Sequence, residues 1–141
     1  MSRSAIAGDT TQLTLLANRR PRTMSSPSFP GDGPYTIEVW LGILGPTATL
    51  LYGRLCRVLA MADLVVVDIA ELASALGVGE TALRRSIQRL VEFQLAEWNG
   101  DELSVLTRIP VVSHRMLETL TSAARRFHAA ALAASLQAPR P

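Results

Sequence analysis

Five side chains between residues 81 and 89 carry the chemistry this sequence is best equipped for: Thr81, Arg84, Arg85, Gln88 and Arg89. Arginine donates two parallel hydrogen bonds to O6 and N7 of guanine, and glutamine makes the same two-point match to N6 and N7 of adenine. At about 100° per residue, Leu83, Ile87, Leu90 and Gln94 share one side of a helix running from Glu80 to Phe93. That side faces a core. Thr81, Arg85, Gln88 and Arg89 then project from the opposite side, with Arg84 at its edge, where base edges in a major groove would meet them. The same arginines also suit an ordinary solvated face, with Glu92 close enough to pair.

Other chemistry is sparse. Cys56 is the single cysteine, so no internal disulfide is available, and His114 and His128 give no zinc-ligand spacing with it. No metal or cofactor is expected. Cys56 sits between Leu55 and Val58 in an apolar helical pattern and reads as a buried, inert thiol. The two histidines fall in terminal helices as surface or partly satisfied groups. No phosphate loop, nucleophile elbow or usefully spaced carboxylate pair appears, so an enzyme is not expected.

The elements that would position the five side chains follow from apolar spacing and caps. Ile37, Trp40, Leu41 and Leu44 make a short helix that Gly45-Pro46 stops. Pro46 opens a support helix, Thr47 to Met61, with Leu51, Leu55, Val58 and Leu59 on one face and Arg54 and Arg57 on the other. Leu64 to Val67 is a short β-branched run. Asp68 is a good N-cap for a helix from Ile69 to Leu76, and Gly77 a good left-handed terminator. The turn Gly77-Val78-Gly79 joins it to the arginine-bearing helix. Ala96-Glu97-Trp98 and Leu103-Ser104-Val105 flank Asn99-Gly100, a strong hairpin signal. A helical region from Ser113 to Gln137 carries Leu117, Leu120, Ala124, Phe127 and Ala131 at spacings of three and four.

With 141 residues, 48% of them apolar, the chain has enough for one core and no room for a second domain of any size. All 14 basic residues are arginine, set against 12 acidic ones, and the net charge of +2 permits nucleic-acid binding without demanding it. Met1 to Pro34 mixes Ser, Thr, Pro, Gly and Arg with no sustained apolar period, so residues 1–34 are expected to be a disordered arm and residues 35–137 the folded domain. Arg19, Arg20 and Arg22 suit either phosphate contacts or a solvated tail, and Met24 is an alternative start. No secretory signal is recognisable. The longest uncharged stretch, Val39 to Gly53, is too short to span a bilayer and is broken by Gly45-Pro46. A cytoplasmic protein with no membrane contact is expected.

The run Asp68-Ile69-Ala70-Glu71-Leu72-Ala73 through Gly77-Val78, followed by Thr81 to Leu90, Leu95 and Asn99-Gly100-Asp101, resembles the winged helix-turn-helix superfamily. Trp40, Leu44-Gly45-Pro46, Arg108-Ile109-Pro110 and Arg115 add a similarity to small actinobacterial proteins of uncharacterised function, which brings no activity with it. The resemblance implies a mainly α fold with a small β-hairpin wing. It also implies a DNA-binding transcription regulator that reads double-stranded DNA through helix 80–93, and the alanine-rich run Ala123 to Ala134, which suits either close helix approach or packing on its own core, makes a homodimer through the C-terminal helix the expectation. Two residues depart from the pattern: Gly79 replaces the usual hydroxyl cap of the recognition helix, and Glu80 opposes a phosphate there. The wing, with Glu97, Asp101 and Glu102, is acidic where DNA would favour bases. That acidity supports the alternative, a winged-helix protein–protein adaptor that does not bind DNA.

Overall fold

The computed structural model describes residues 11–19 and 27–137. With 55% helix and 23% strand the fold is mixed α/β, in place of the mainly α fold expected. The difference arises in the N-terminal segment. Residues Gln12–Asn18 form strand β1 and Ser28–Pro30 strand β2, where a disordered arm was expected. Leu13 and Leu15 alternate with Thr14 and Leu16, which places the first pair in the core and leaves the second half-buried. Arg20, Arg22 and Met24 lie outside the described residues.

A π-helical turn, Thr36–Trp40, runs directly into the short helix α1, Leu41–Leu44. Gly45 then adopts φ 86°, a conformation that disfavours any side chain, and Pro46 starts α2, Pro46–Leu59. One side of α2 buries Leu51, Tyr52, Leu55, Cys56 and Leu59, while Arg54 and Arg57 face solvent. Strand β3, Leu64–Asp68, leads into α3, Ile69–Leu76, whose first turn is capped as expected: the Asp68 carboxylate accepts from the Glu71 N–H at 3.0 Å. Gly77 takes the left-handed conformation that ends it.

After the turn, α4 spans Glu80–Glu92 and buries Leu83, Ser86, Ile87 and Leu90. Gln94 does not continue the core face. It is exposed at φ 64° as the left-handed residue closing the helix: its N–H donates to the Val91 carbonyl, and that of Leu95 donates to the Leu90 carbonyl. Strands β4, Ala96–Asn99, and β5, Glu102–Leu106, pair antiparallel with Asn99 opposite Glu102. The loop is therefore Gly100-Asp101, one residue later than the Asn-Gly signal implies, with Gly100 at φ 70° supplying the positive angle a tight hairpin needs. Strand β6, Arg108–Pro110, pairs with β2. The C-terminal region divides into α5, His114–Glu118, and α6, Ser122–Gln137, with Thr121 capping the second through the Ala124 N–H.

Sheet order is β3-β1-β5-β4. β1 runs antiparallel to β3 and parallel to β5, with Leu15 opposite Val65 on one side and Leu103 on the other. β3 therefore does not touch the hairpin. The link between helix-bearing and hairpin-bearing strands passes through a segment at the other end of the sequence. Behind the sheet, α2 joins the same core through Leu51, Leu55 and Leu59, and the Tyr52 hydroxyl donates to the Leu106 carbonyl. Phe29 stacks on Tyr35 at 4.3 Å, so the domain does not begin at residue 35. No helix among the described residues is long and apolar enough to cross a membrane.

Leu15 has no exposed surface. Leu15→Ala is expected to lower unfolding free energy by about 2–5 kcal/mol in urea titrations, the usual cost of a large-to-small core change. A loss below about 0.5 kcal/mol, typical of surface positions, would mean that the N-terminal segment is not part of the core.

Candidate nucleic-acid interface

Helix α4 stands on the core through Leu83, Ile87 and Leu90, which fixes the direction of its other side. Thr81 and Arg85 are exposed there, and Gln88 is half-buried. Arg84 is half-buried at the edge and reaches back one turn to Glu80 at 3.7 Å. Arg85 makes no ion pair with any described residue. Four of the five expected contact residues thus share one outward strip, although Arg84 is partly engaged. The helix starts at Gly79 without a side-chain cap.

Arg89 is the exception. Its Nε donates to the Leu44 carbonyl and its Nη2 to the Ile43 carbonyl, both at 2.7 Å. These are carbonyls at the end of α1, where no further helical N–H is available to them, and a guanidinium fork satisfies both. The cation also lies 5.3 Å from the Phe93 ring centre, and Phe93 meets Trp40 edge to face at 6.3 Å. Trp40 in turn donates its indole N–H to the Pro110 carbonyl at 3.0 Å. Arg89 is therefore a clasp between α4 and α1. Arg89 stays exposed while it makes these contacts, so it is engaged by α1 where a freely projecting side chain was expected. Its position on the helical wheel was read properly, but the wheel does not show that α1 ends beside it.

Arg19 makes a similar contact. It donates to the Leu59 carbonyl at 2.9 Å and pairs with Asp63 at 2.7 Å, closing the end of α2. Arg19 is therefore tied to the end of α2 while remaining exposed, where a phosphate-contacting arm or a solvated tail was expected. On the hairpin, Glu97 and Asp101 are exposed and Glu102 is half-buried, so the hairpin is acidic at its surface.

Of the two histidines, His114 is exposed and lies 3.3 Å from Glu118. His128 is buried, its Nδ1 2.8 Å from the Tyr35 hydroxyl, which also accepts from the Val112 N–H at 3.2 Å. Tyr35 and His128 are thus joined by a hydrogen bond whose donor follows the imidazole tautomer, since the hydroxyl can donate to Nδ1 or accept from it. Burial lowers the His128 pKa, and burial raises that of Tyr35, partly offset by the Val112 hydrogen bond. This pair docks α6 on the N-terminal half of the domain. Among the described residues no three His, Cys, Asp or Glu side chains converge where a metal could bind. Cys56 is buried, and burial pushes its thiol up to about 12, beyond the range of a reactive thiolate.

Comparisons with known protein families, with curated proteins and with solved structures each return no match for this chain.

Arg89→Lys keeps the charge but cannot hold both carbonyls, and is expected to cost about 1–2 kcal/mol in urea unfolding. Arg85→Ala should stay within about 0.5 kcal/mol of the parent. Equal effects of the two changes would contradict the clasp. The His128 shift has a defined sign. A lowered folded-state pKa favours the neutral ring, so the contribution is complete above the ordinary value of about 6.5 and declines as pH falls from there through the folded-state pKa. Thermal unfolding between pH 7 and pH 5 should show the decline in the parent chain, and His128→Gln should flatten it. An unchanged slope in the variant would remove His128 as its source.

Proposed function

We propose that this chain is a DNA-binding protein of the winged helix-turn-helix type, a transcription regulator that reads the major groove with the outer strip of α4. The observation that supports it best is the arrangement of that helix. α3 and α4 are joined by a glycine-terminated turn, and α4 is anchored to the core by Leu83, Ile87 and Leu90. The strip it leaves outward holds Thr81, Arg84, Arg85 and Gln88, and the hairpin follows immediately. Arg85 suits guanine, Gln88 suits adenine, and Arg84 and Thr81 suit the flanking phosphates or bases. Arg89 takes no part in this set.

The same reading includes a homodimer through α6. The first half of that helix is tied to the domain by Ala124 and His128, whereas Ala129, Ala130, Ala133, Ala134 and Leu136 are exposed. A second copy would cover the exposed half and place two α4 helices about a two-fold axis. The adaptor reading keeps specific support from the hairpin, whose exposed Glu97 and Asp101 place negative charge beside α4.

Fluorescence anisotropy of labelled mixed-sequence duplex DNA tests the reading, using the full chain because β1 belongs to the sheet. Binding that weakens steeply between low and moderate salt is expected, with Arg85→Glu weakening it roughly tenfold or more while unfolding is unchanged. Absence of binding at low salt, or an Arg85→Glu variant that binds like the parent, would overturn the DNA reading in favour of a protein partner.

A further inference from the structure

A cleft of about 280 Å³ opens beside α2, bounded by the loop at Gly31-Asp32, the π-helical turn and the last turn of α3. Nothing in the recognition strip uses it. We propose that this cleft binds a small organic carboxylate with a compact apolar body. The size is just below the roughly 300 Å³ at which small-molecule pockets usually begin, which restricts the ligand to a single ring or short branched chain.

Three features of the wall support this. Thr36 and Thr49 line the cleft at 1% and 0% exposure, and the hydroxyl of each is buried with no hydrogen-bond partner among the described residues. A buried hydroxyl without a partner costs about 1–3 kcal/mol, and recovering it requires a ligand oxygen to press past the present wall surface, because neither oxygen is accessible from the open cleft. Ile37 and Leu50 are lining residues at 43% and 54% exposure, large apolar side chains that an apolar body would cover. Gly53 lies in the interior of α2, where glycine costs roughly 0.5–1 kcal/mol relative to alanine, yet a Cβ added there would meet nothing within 4 Å. Its absent side chain is not needed for packing and leaves the cleft open.

Charge selects the ligand's sign. Arg54 and Arg57, one turn apart on α2, line the cleft, are exposed and make no ion pair with any described residue. Asp32 on the facing loop is the one carboxylate among the described residues of the lining. Two guanidiniums against one carboxylate leave a net positive mouth, and guanidinium geometry matches a carboxylate with two hydrogen bonds. Ala75 and Leu76 bring the last turn of α3 into the wall, immediately before the Gly77 turn to α4. A bound molecule therefore bridges the support helix and the helix-turn-helix pair. Binding rests on the cleft alone; an effect of binding on DNA affinity would rest on the proposed function as well.

The test compares three probes of similar shape and different charge, benzoate, benzamide and benzylammonium, by two-dimensional amide NMR of the full chain without DNA. Benzoate should shift the Thr49, Gly53 and Ala75 amides saturably, benzamide more weakly, and benzylammonium not at all. Arg54→Glu with Arg57→Glu should weaken benzoate roughly tenfold or more. Gly53→Leu should abolish its binding while leaving the helix intact, since leucine is the better helix former. No saturable shift with any probe, tighter binding of benzylammonium, or unchanged benzoate binding in Gly53→Leu would each overturn the assignment. Because no DNA is present, failure here leaves the reading of α4 untouched, and failure of DNA binding leaves this result untouched.

Discussion

The placement of β1 between β3 and β5 is the constraint on which the rest of the domain depends. A strand in that position satisfies backbone groups on both neighbours, and its Leu13 and Leu15 fill the core beneath α2. Without it, β3 and β5 would each present an open edge, and the hairpin would lose its connection to the strand that feeds α3. The angle between hairpin and α4 is therefore set from two directions, by the short connection after Glu92 and by a segment far away in sequence. Gly31 shows how closely the following segment is applied, since a Cβ there would collide with Cys56 and Tyr52.

Arginine does in this chain much of the structural work that glycine and ordered termini do elsewhere. Arg89 closes the end of α1, Arg19 the end of α2, and Arg125 donates to the Leu120 carbonyl beyond α5 at 2.8 Å. Each guanidinium reaches carbonyls that have no helical partner, where positive charge also suits the helix dipole. The consequence for function is a trade. Each of these arginines is held by a carbonyl while remaining exposed, so its charge stays at the surface but its hydrogen-bonding fork is partly committed. What α4 retains is compact: Arg85 and Gln88 one turn apart along the strip, Thr81 at its start, and Arg84 at its edge, close to Glu80.

Local signals were legible in the sequence and distant ones were not. Asp68 and Gly77 act on atoms within a few residues, so the start and end of α3 could be read directly, as could the amphipathic α2 and α4 and the Gly100 hairpin. β1 offers two core leucines inside a polar, arginine-containing segment, too little alternation to reveal a strand whose partners lie about 50 and 90 residues away. The clasp by Arg89 depends on where α1 ends in space, and the left-handed Gln94 on a turn usually assigned to glycine. The cleft beside α2 combines four separate segments, a juxtaposition that no local signal reports.

Amide hydrogen exchange of the full chain, resolved by NMR, tests the central claim most directly because it reports the backbone of β1 itself. The amides of β1 that face β3 and β5 should exchange as slowly as those within β5 and α4, opening only when the whole domain unfolds. Exchange of those amides at the rate of an unstructured chain, while β5 remains protected, would contradict a sheet built around the N-terminal strand.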